Sequence, residues 1–169
     1  MSIELGVADE MISDAVLTAD GHRLYVAVHD FLQKAGAIVV LDASTLTEVQ
    51  RLPGTPDTTF LAGAPDSRYV YSARRDYPDF GLHAFDVTNG SDTQLLNVVG
   101  EVHDLAVSPS GRFLFVLRED GLGPDVSRGL ITVFDAQSRT AAAQIDVQFA
   151  AGILAVSPDG RRLHVGSGI

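Results

Sequence analysis

The stretch Val156-Ser157-Pro158-Asp159-Gly160-Arg161-Arg162-Leu163-His164-Val165 is the last of four related segments in this chain. The others are Leu17-Thr18-Ala19-Asp20-Gly21-His22-Arg23-Leu24-Tyr25-Val26, Gly63-Ala64-Pro65-Asp66-Ser67-Arg68-Tyr69-Val70-Tyr71 and Val107-Ser108-Pro109-Ser110-Gly111-Arg112-Phe113-Leu114-Phe115-Val116. The turn position falls at Gly21, Ser67, Gly111 and Gly160, at spacings of 46, 44 and 49 residues. A Pro-Asp-Gly type turn needs a φ > 0 residue there, which Gly adopts without steric cost. The alternating apolar and polar residues that follow read as a half-buried strand.

A second motif trails the first three copies. It reads Ile38-Val39-Val40-Leu41-Asp42-Ala43-Ser44-Thr45, Leu82-His83-Ala84-Phe85-Asp86-Val87-Thr88 and Ile131-Thr132-Val133-Phe134-Asp135-Ala136-Gln137-Ser138. Its Asp residues are 44 and 49 apart, so two independent motifs keep one period. Each unit reads as four short strands. The first is apolar (Asp14 to Thr18, Leu105 to Ser108, Leu154 to Ser157). The second alternates (Arg23 to Val28, Arg112 to Leu117). The third ends in Asp, whose carboxylate suits an Asx-type turn. The fourth is weaker (Glu48 to Leu52, Thr93 to Val98, Ala142 to Val147). Four antiparallel strands at such a period are the pattern of a β-propeller blade, so the expected fold is all-β. A β-sandwich of unrelated strands would not need both motifs in phase.

The pattern Ser-Pro-Asp-Gly-Arg-x-Leu-x-Val, followed by x-Val-x-Asp-x-x-Ser/Thr, resembles the YVTN-type β-propeller repeat. That family is related to surface-layer propellers, lactonase-type propellers and the methylamine dehydrogenase heavy chain. The resemblance covers nearly the whole chain. It implies the fold and leaves function open, because these relatives do different things on one scaffold.

Ser2-Ile3-Glu4-Leu5-Gly6-Val7 aligns with the fourth-strand segments Leu95-Leu96-Asn97-Val98 and Gln144-Ile145-Asp146-Val147. The chain therefore reads as strand four of a preceding blade (1–10), three blades (11–53, 54–100, 101–149) and the first two strands of another (150–169). Three complete blades fall short of the roughly four to eight that close a ring. Three arrangements answer this. The chain is a fragment of a seven-bladed protein, or two copies complete an eight-bladed ring, or a four-bladed monomer carries an incomplete last blade. A self-associating fragment is the expected case, because open blade flanks are sticky.

The 169 residues suit one domain. Lys plus Arg is 12 and Asp plus Glu is 22, a formal net charge of −10. A nucleic-acid partner needs a basic footprint and is not expected. Eleven of the 12 basic residues are Arg, Lys34 being the exception, which reads as codon bias more readily than as an anion grip. The chain has no Cys, which excludes disulfides, thiol nucleophiles and Cys-based metal sites. No apolar run approaches a membrane span, and Met1-Ser2-Ile3-Glu4 does not open a signal peptide. Gly-x-Gly-x-x-Gly, Walker, Gly-x-Ser-x-Gly and His-Glu-x-x-His motifs are all missing, and no cofactor is expected.

In a propeller, the loops leading into strand one and those joining strands two and three share a face, where ligand sites gather. His103-Asp104 stands just before an expected first strand, and Asp14 occupies the Asp104 position in the first copy. Imidazole with carboxylates suits metal binding or general-base work. The plainer reading is that the Asp ties the backbone of neighbouring blades. Arg74-Arg75-Asp76 and Arg118-Glu119-Asp120 occupy equivalent loops and could clamp an anion, or pair with their acidic neighbours. Glu119, Asp120 and Asp125 offer oxygen ligands for calcium, but their spacing departs from an EF-hand. Asp42, Asp86 and Asp135 recur with the fold and read as turn residues. The expected function is a non-catalytic binding or scaffold module. It would associate with itself or with missing blades, and bind a protein or small molecule at the channel. The alternative is a propeller enzyme, lactonase-like or a dehydrogenase subunit.

Overall fold

The computed structural model describes residues 10–30, 35–54, 58–74, 81–97, 101–119 and 129–167, with the side chains of some strand-end residues, Arg74 and Glu119 among them, outside the description. Strands β1 (Glu10–Leu17), β2 (Arg23–Asp30), β3 (Ala35–Asp42) and β4 (Glu48–Gly54) form one antiparallel meander. Strands β5 (Thr58–Gly63), β6 (Tyr69–Arg74), β7 (Gly81–Asp86) and β8 (Ser91–Asn97) form a second. Strands β9 (Val102–Val107), β10 (Phe113–Glu119), β11 (Gly129–Asp135) and β12 (Thr140–Val147) form a third. Strands β13 (Ile153–Val156) and β14 (Leu163–Gly166) form a two-stranded sheet. The first strands β1, β5, β9 and β13 lie next to one another in that order. The chain is all-β, with four-stranded antiparallel blades in a propeller-like arrangement. The expected fourth strand within 1–10 lies outside the described residues, except that Glu10 belongs to β1.

The repeated motifs build one turn several times. The turn residues Gly21, Ser67, Gly111 and Gly160 all have φ between 57° and 73°. Ser67 holds this left-handed geometry without being Gly, and its Oγ accepts the N–H of Asp20 in the preceding blade at 3.0 Å. The next turns stack likewise: Pro65 underlies Gly111, and Pro109 underlies Gly160. Each strand-three Asp closes its own hairpin and binds one Arg at, or just before, the start of strand two. Asp42 Oδ1 accepts from Ser44 N and Thr45 N at 3.0 and 3.1 Å, while Oδ2 takes Arg23 at 2.8 Å. Asp86 repeats this with Thr88 N and Arg68, and Asp135 with Gln137 N, Ser138 N and Arg112.

Three apolar layers separate successive blades. Tyr25, Ile38, Val40 and Leu52 of the first blade meet Leu61, Val70 and Phe85 of the second. The small residues Ala62, Ala73 and Ala84 of the second blade meet the larger Leu105, Leu114, Val116 and Phe134 of the third. Leu117, Ile131 and Val147 meet Ala151 and Leu154. Small residues facing large ones let the layers interdigitate at interior density.

Several strands run further than expected. β1 starts at Glu10 rather than Asp14, because its register shifts between Ile12 and Asp14 and the shift breaks the alternation that marks a strand. His103 and Asp104 lie inside β9 rather than before it. Arg74 ends β6 and Arg118 lies within β10, not on loops, because pairing continues to the strand ends: Thr58 faces Arg74, and Leu130 faces Arg118. His29 and Asp30 are likewise the last residues of β2. Pro53 pairs with Ala37 in β4, the outermost strand of its sheet, and edge strands are where Pro is tolerated.

Candidate functional site

Asp14 and Asp104 sit at register shifts on the first strands of the first and third blades, seven residues before Gly21 and Gly111. There the carboxylate turns toward the next blade. Asp14 Oδ1 accepts the N–H of Ala15 at 2.7 Å, and Oδ2 accepts that of Leu61 at 2.7 Å. Asp104 does the same one blade pair later, accepting Leu105 N at 2.7 Å and Leu154 N with its other oxygen. The corresponding residues of the second and fourth blades are Phe60 and Ile153, which have no acceptor. Carboxylate ties therefore join the first blade to the second and the third to the fourth.

Burial pushes the Asp104 carboxyl above its usual range, against the two amide hydrogen bonds, and the Asp14 charge pushes the same way. His103 is half-buried beside Asp104 in β9. Arg118 is half-buried and engaged in β10. The Arg74 side chain, Arg75, Asp76, the Glu119 side chain, Asp120 and Asp125 lie outside the described residues, so the anion-clamp and calcium-loop readings fall there. Among the described residues, no group of three His, Asp or Glu side chains is placed to hold a metal ion. His83 is buried in β7 with Nδ1 3.0 Å from an Asp92 oxygen on β8.

The blades also form a groove of about 600 Å³ that the sequence did not suggest. It opens between the second and third blades at the end carrying the repeated turns. Its walls include Asp66, Tyr69, Tyr71, Ser110, Arg112 and Gln137. The Tyr69 and Tyr71 rings stack at 6.3 Å between centroids. Its two walls are far apart in sequence, so no local motif announces it. The only trace is Tyr69 standing where the first blade has Arg23.

No protein-family model matches the chain, and no curated protein matches its sequence. Solved structures of β-propeller proteins do match. One is a chain of a structure titled "Crystal Structure of Mitotic Checkpoint Complex", with a TM-score of 0.76 and 18% identity over 96% of this chain and 46% of that one. Another is Kuenenia stuttgartiensis hydrazine synthase, with a TM-score of 0.75 and 16% identity over 97% of this chain and 45% of that one. The chain spans about half the length of these structures. At such identities the likeness shows the fold alone. No helix among the described residues is long and apolar enough to cross a membrane.

Proposed function

We propose that the chain is a non-catalytic binding or scaffold module of the YVTN propeller type, and that it associates with a second copy to complete a ring. One observation carries this reading: the described blades leave large apolar side chains accessible, Leu17, Val49 and Ile145 among them. Met11, Ile12 and Ile153, on the first strands of the two end blades, add exposed apolar area, each more than half accessible. The carboxylates that would serve catalysis also spend their acceptors on backbone amides of the next blade. Light scattering coupled to size exclusion tests the association. Twice the 18.0 kDa chain mass is expected, and a monodisperse monomer overturns it.

A second reading, an enzyme site at the channel mouth, draws on the raised Asp104 carboxyl beside His103. Its test is loss of a measured hydrolase or dehydrogenase activity in a His103→Ala variant.

A further inference from the structure

The groove between the second and third blades is built where the repeat departs from itself. In the other three turns, a hydroxyl three places before the positive-φ residue meets the side chain two places on. Thr18 Oγ1 donates to Asp20 at 2.6 Å, Ser157 Oγ donates to Asp159 at 2.6 Å, and the Ser108 and Ser110 hydroxyls lie 3.1 Å apart. The second blade has Ala64 at that position, so Asp66 receives no such bond. Asp66 Oδ1 accepts the N–H of Arg68 at 2.9 Å, and among the described residues Asp66 forms no ion pair.

The same wall carries Tyr71. It is only 5% exposed, and among the described residues its hydroxyl has no hydrogen bond. A buried phenol ordinarily finds a partner. Burial pushes that hydroxyl up, and the Asp66 charge adds to the push, so carboxylate and phenol stand close together. The cations around the groove are already engaged. Arg68 binds Asp86 at 3.0 Å and lies 5.0 Å from the centre of the Tyr69 ring, and Arg112 binds Asp135 at 2.9 Å. Two arginines against Asp66, Asp86 and Asp135 leave one negative charge, on Asp66. The ion pairs also fix both walls before any ligand arrives.

We propose that this groove binds a small organic amine, with its ammonium on Asp66 and Tyr71 and its apolar body against Tyr69, Pro65 and Ala136. The ammonium donates one charge-assisted hydrogen bond to the carboxylate and a second to the phenol oxygen. About 600 Å³ holds a drug-sized molecule. The single excess negative charge selects a monocation, and the Arg112 guanidinium in the third-blade wall disfavours a second positive charge. The first blade offers no such site. Arg23 stands there in place of Tyr69, and Thr18 ties Asp20. The groove lies between two four-stranded blades of one chain, so this inference goes beyond the scaffold reading and does not rest on self-association.

The probe is phenethylammonium chloride, titrated by calorimetry into the whole chain at low salt and neutral pH. Saturable binding is expected, with the uncharged phenethyl alcohol about tenfold weaker or worse. Asp66→Asn should weaken the amine about tenfold, and Tyr71→Phe about threefold. Ala64→Ser supplies the hydroxyl that the other turns already accommodate. It should tie Asp66 and weaken the amine while melting no lower than the parent, which keeps the test open if Asp66→Asn or Tyr71→Phe fails to fold. An Nα-acetylated lysine amide carries the same ammonium on a peptide-like chain. Tighter binding of that compound than of the free amine would give the groove to a polypeptide and overturn the small-ligand inference. No saturation up to about 10 mM amine, equal binding of amine and alcohol, or amine affinity unchanged in both Asp66→Asn and Ala64→Ser overturns it as well. A monomer by light scattering that still binds the amine overturns self-association and leaves this inference standing.

Discussion

Asp104 shows how one side chain serves two blades. Its oxygens accept the amides of Leu105 and Leu154, so truncation leaves donors without acceptors beside a residue as buried as Leu154. An unsatisfied buried donor costs about 1–3 kcal/mol. Burial of the ionised carboxylate works in the opposite direction, which is why its pKa is raised. Burial outweighs the hydrogen bonds in setting that pKa, but truncation removes both acceptors at once from amides of the buried Leu105 and Leu154. Asp104→Ala should therefore lower the unfolding free energy by about 1–3 kcal/mol in urea at pH 7. Asp104→Asn, which keeps one acceptor, should lose less. Equal stability of the alanine variant and parent would show that the tie contributes nothing.

The strand-three hairpins carry the pH dependence. Hydrogen bonds from Thr88 hold the Asp86 carboxyl below its ordinary range, with Arg68 adding to them. Ser44 and Thr45 do the same for Asp42. Burial pushes Asp135 up, but Arg112 and the amides of Ser138 and Gln137 outweigh it. A carboxyl depressed in the folded state stabilises above its unfolded pKa, near 4, and that stability is lost as pH falls through the lower folded value. Asp86→Asn should melt below the parent at pH 7, and the gap should close as both are acidified below about pH 4. A gap that stays constant down to pH 2 would rule out the ionised latch as its source. Tyr25 acts at the other extreme. Burial pushes its hydroxyl up to about 12, so its share of stability is complete below pH 10 and fades as pH rises toward 12.

The whole molecule stands on the layers between blades. Leu114 is fully buried between the second and third blades, facing a wall rich in alanine. Tyr71 and Leu82 stand in the same wall, and a close-packed layer relaxes only in part into a void. Leu114→Ala should cost about 2–5 kcal/mol of unfolding free energy. Among the described residues no tie of the Asp104 kind crosses this boundary, since Phe60 stands at that position, and the apolar layer supplies the contact. A loss below about 1 kcal/mol would mean that the boundary relaxes freely.

The period was legible because each blade must turn in the same way. A residue with φ > 0 recurs every 44 to 49 positions, and Asp must recur to close each hairpin. Those local demands are written in contiguous residues, so turns, strand order and the propeller-like architecture follow from the sequence. Strand ends were less legible. Register shifts near Asp14 and Asp104 interrupt alternation, so strands that include both acids read as loops followed by strands. What the tertiary structure alone decided is which residues meet across blades. The reach of Asp14 to Leu61 and the Tyr69–Arg112 groove each join positions about one repeat apart. Such contacts depend on how one twisted sheet stacks on the next, and no local pattern encodes that geometry.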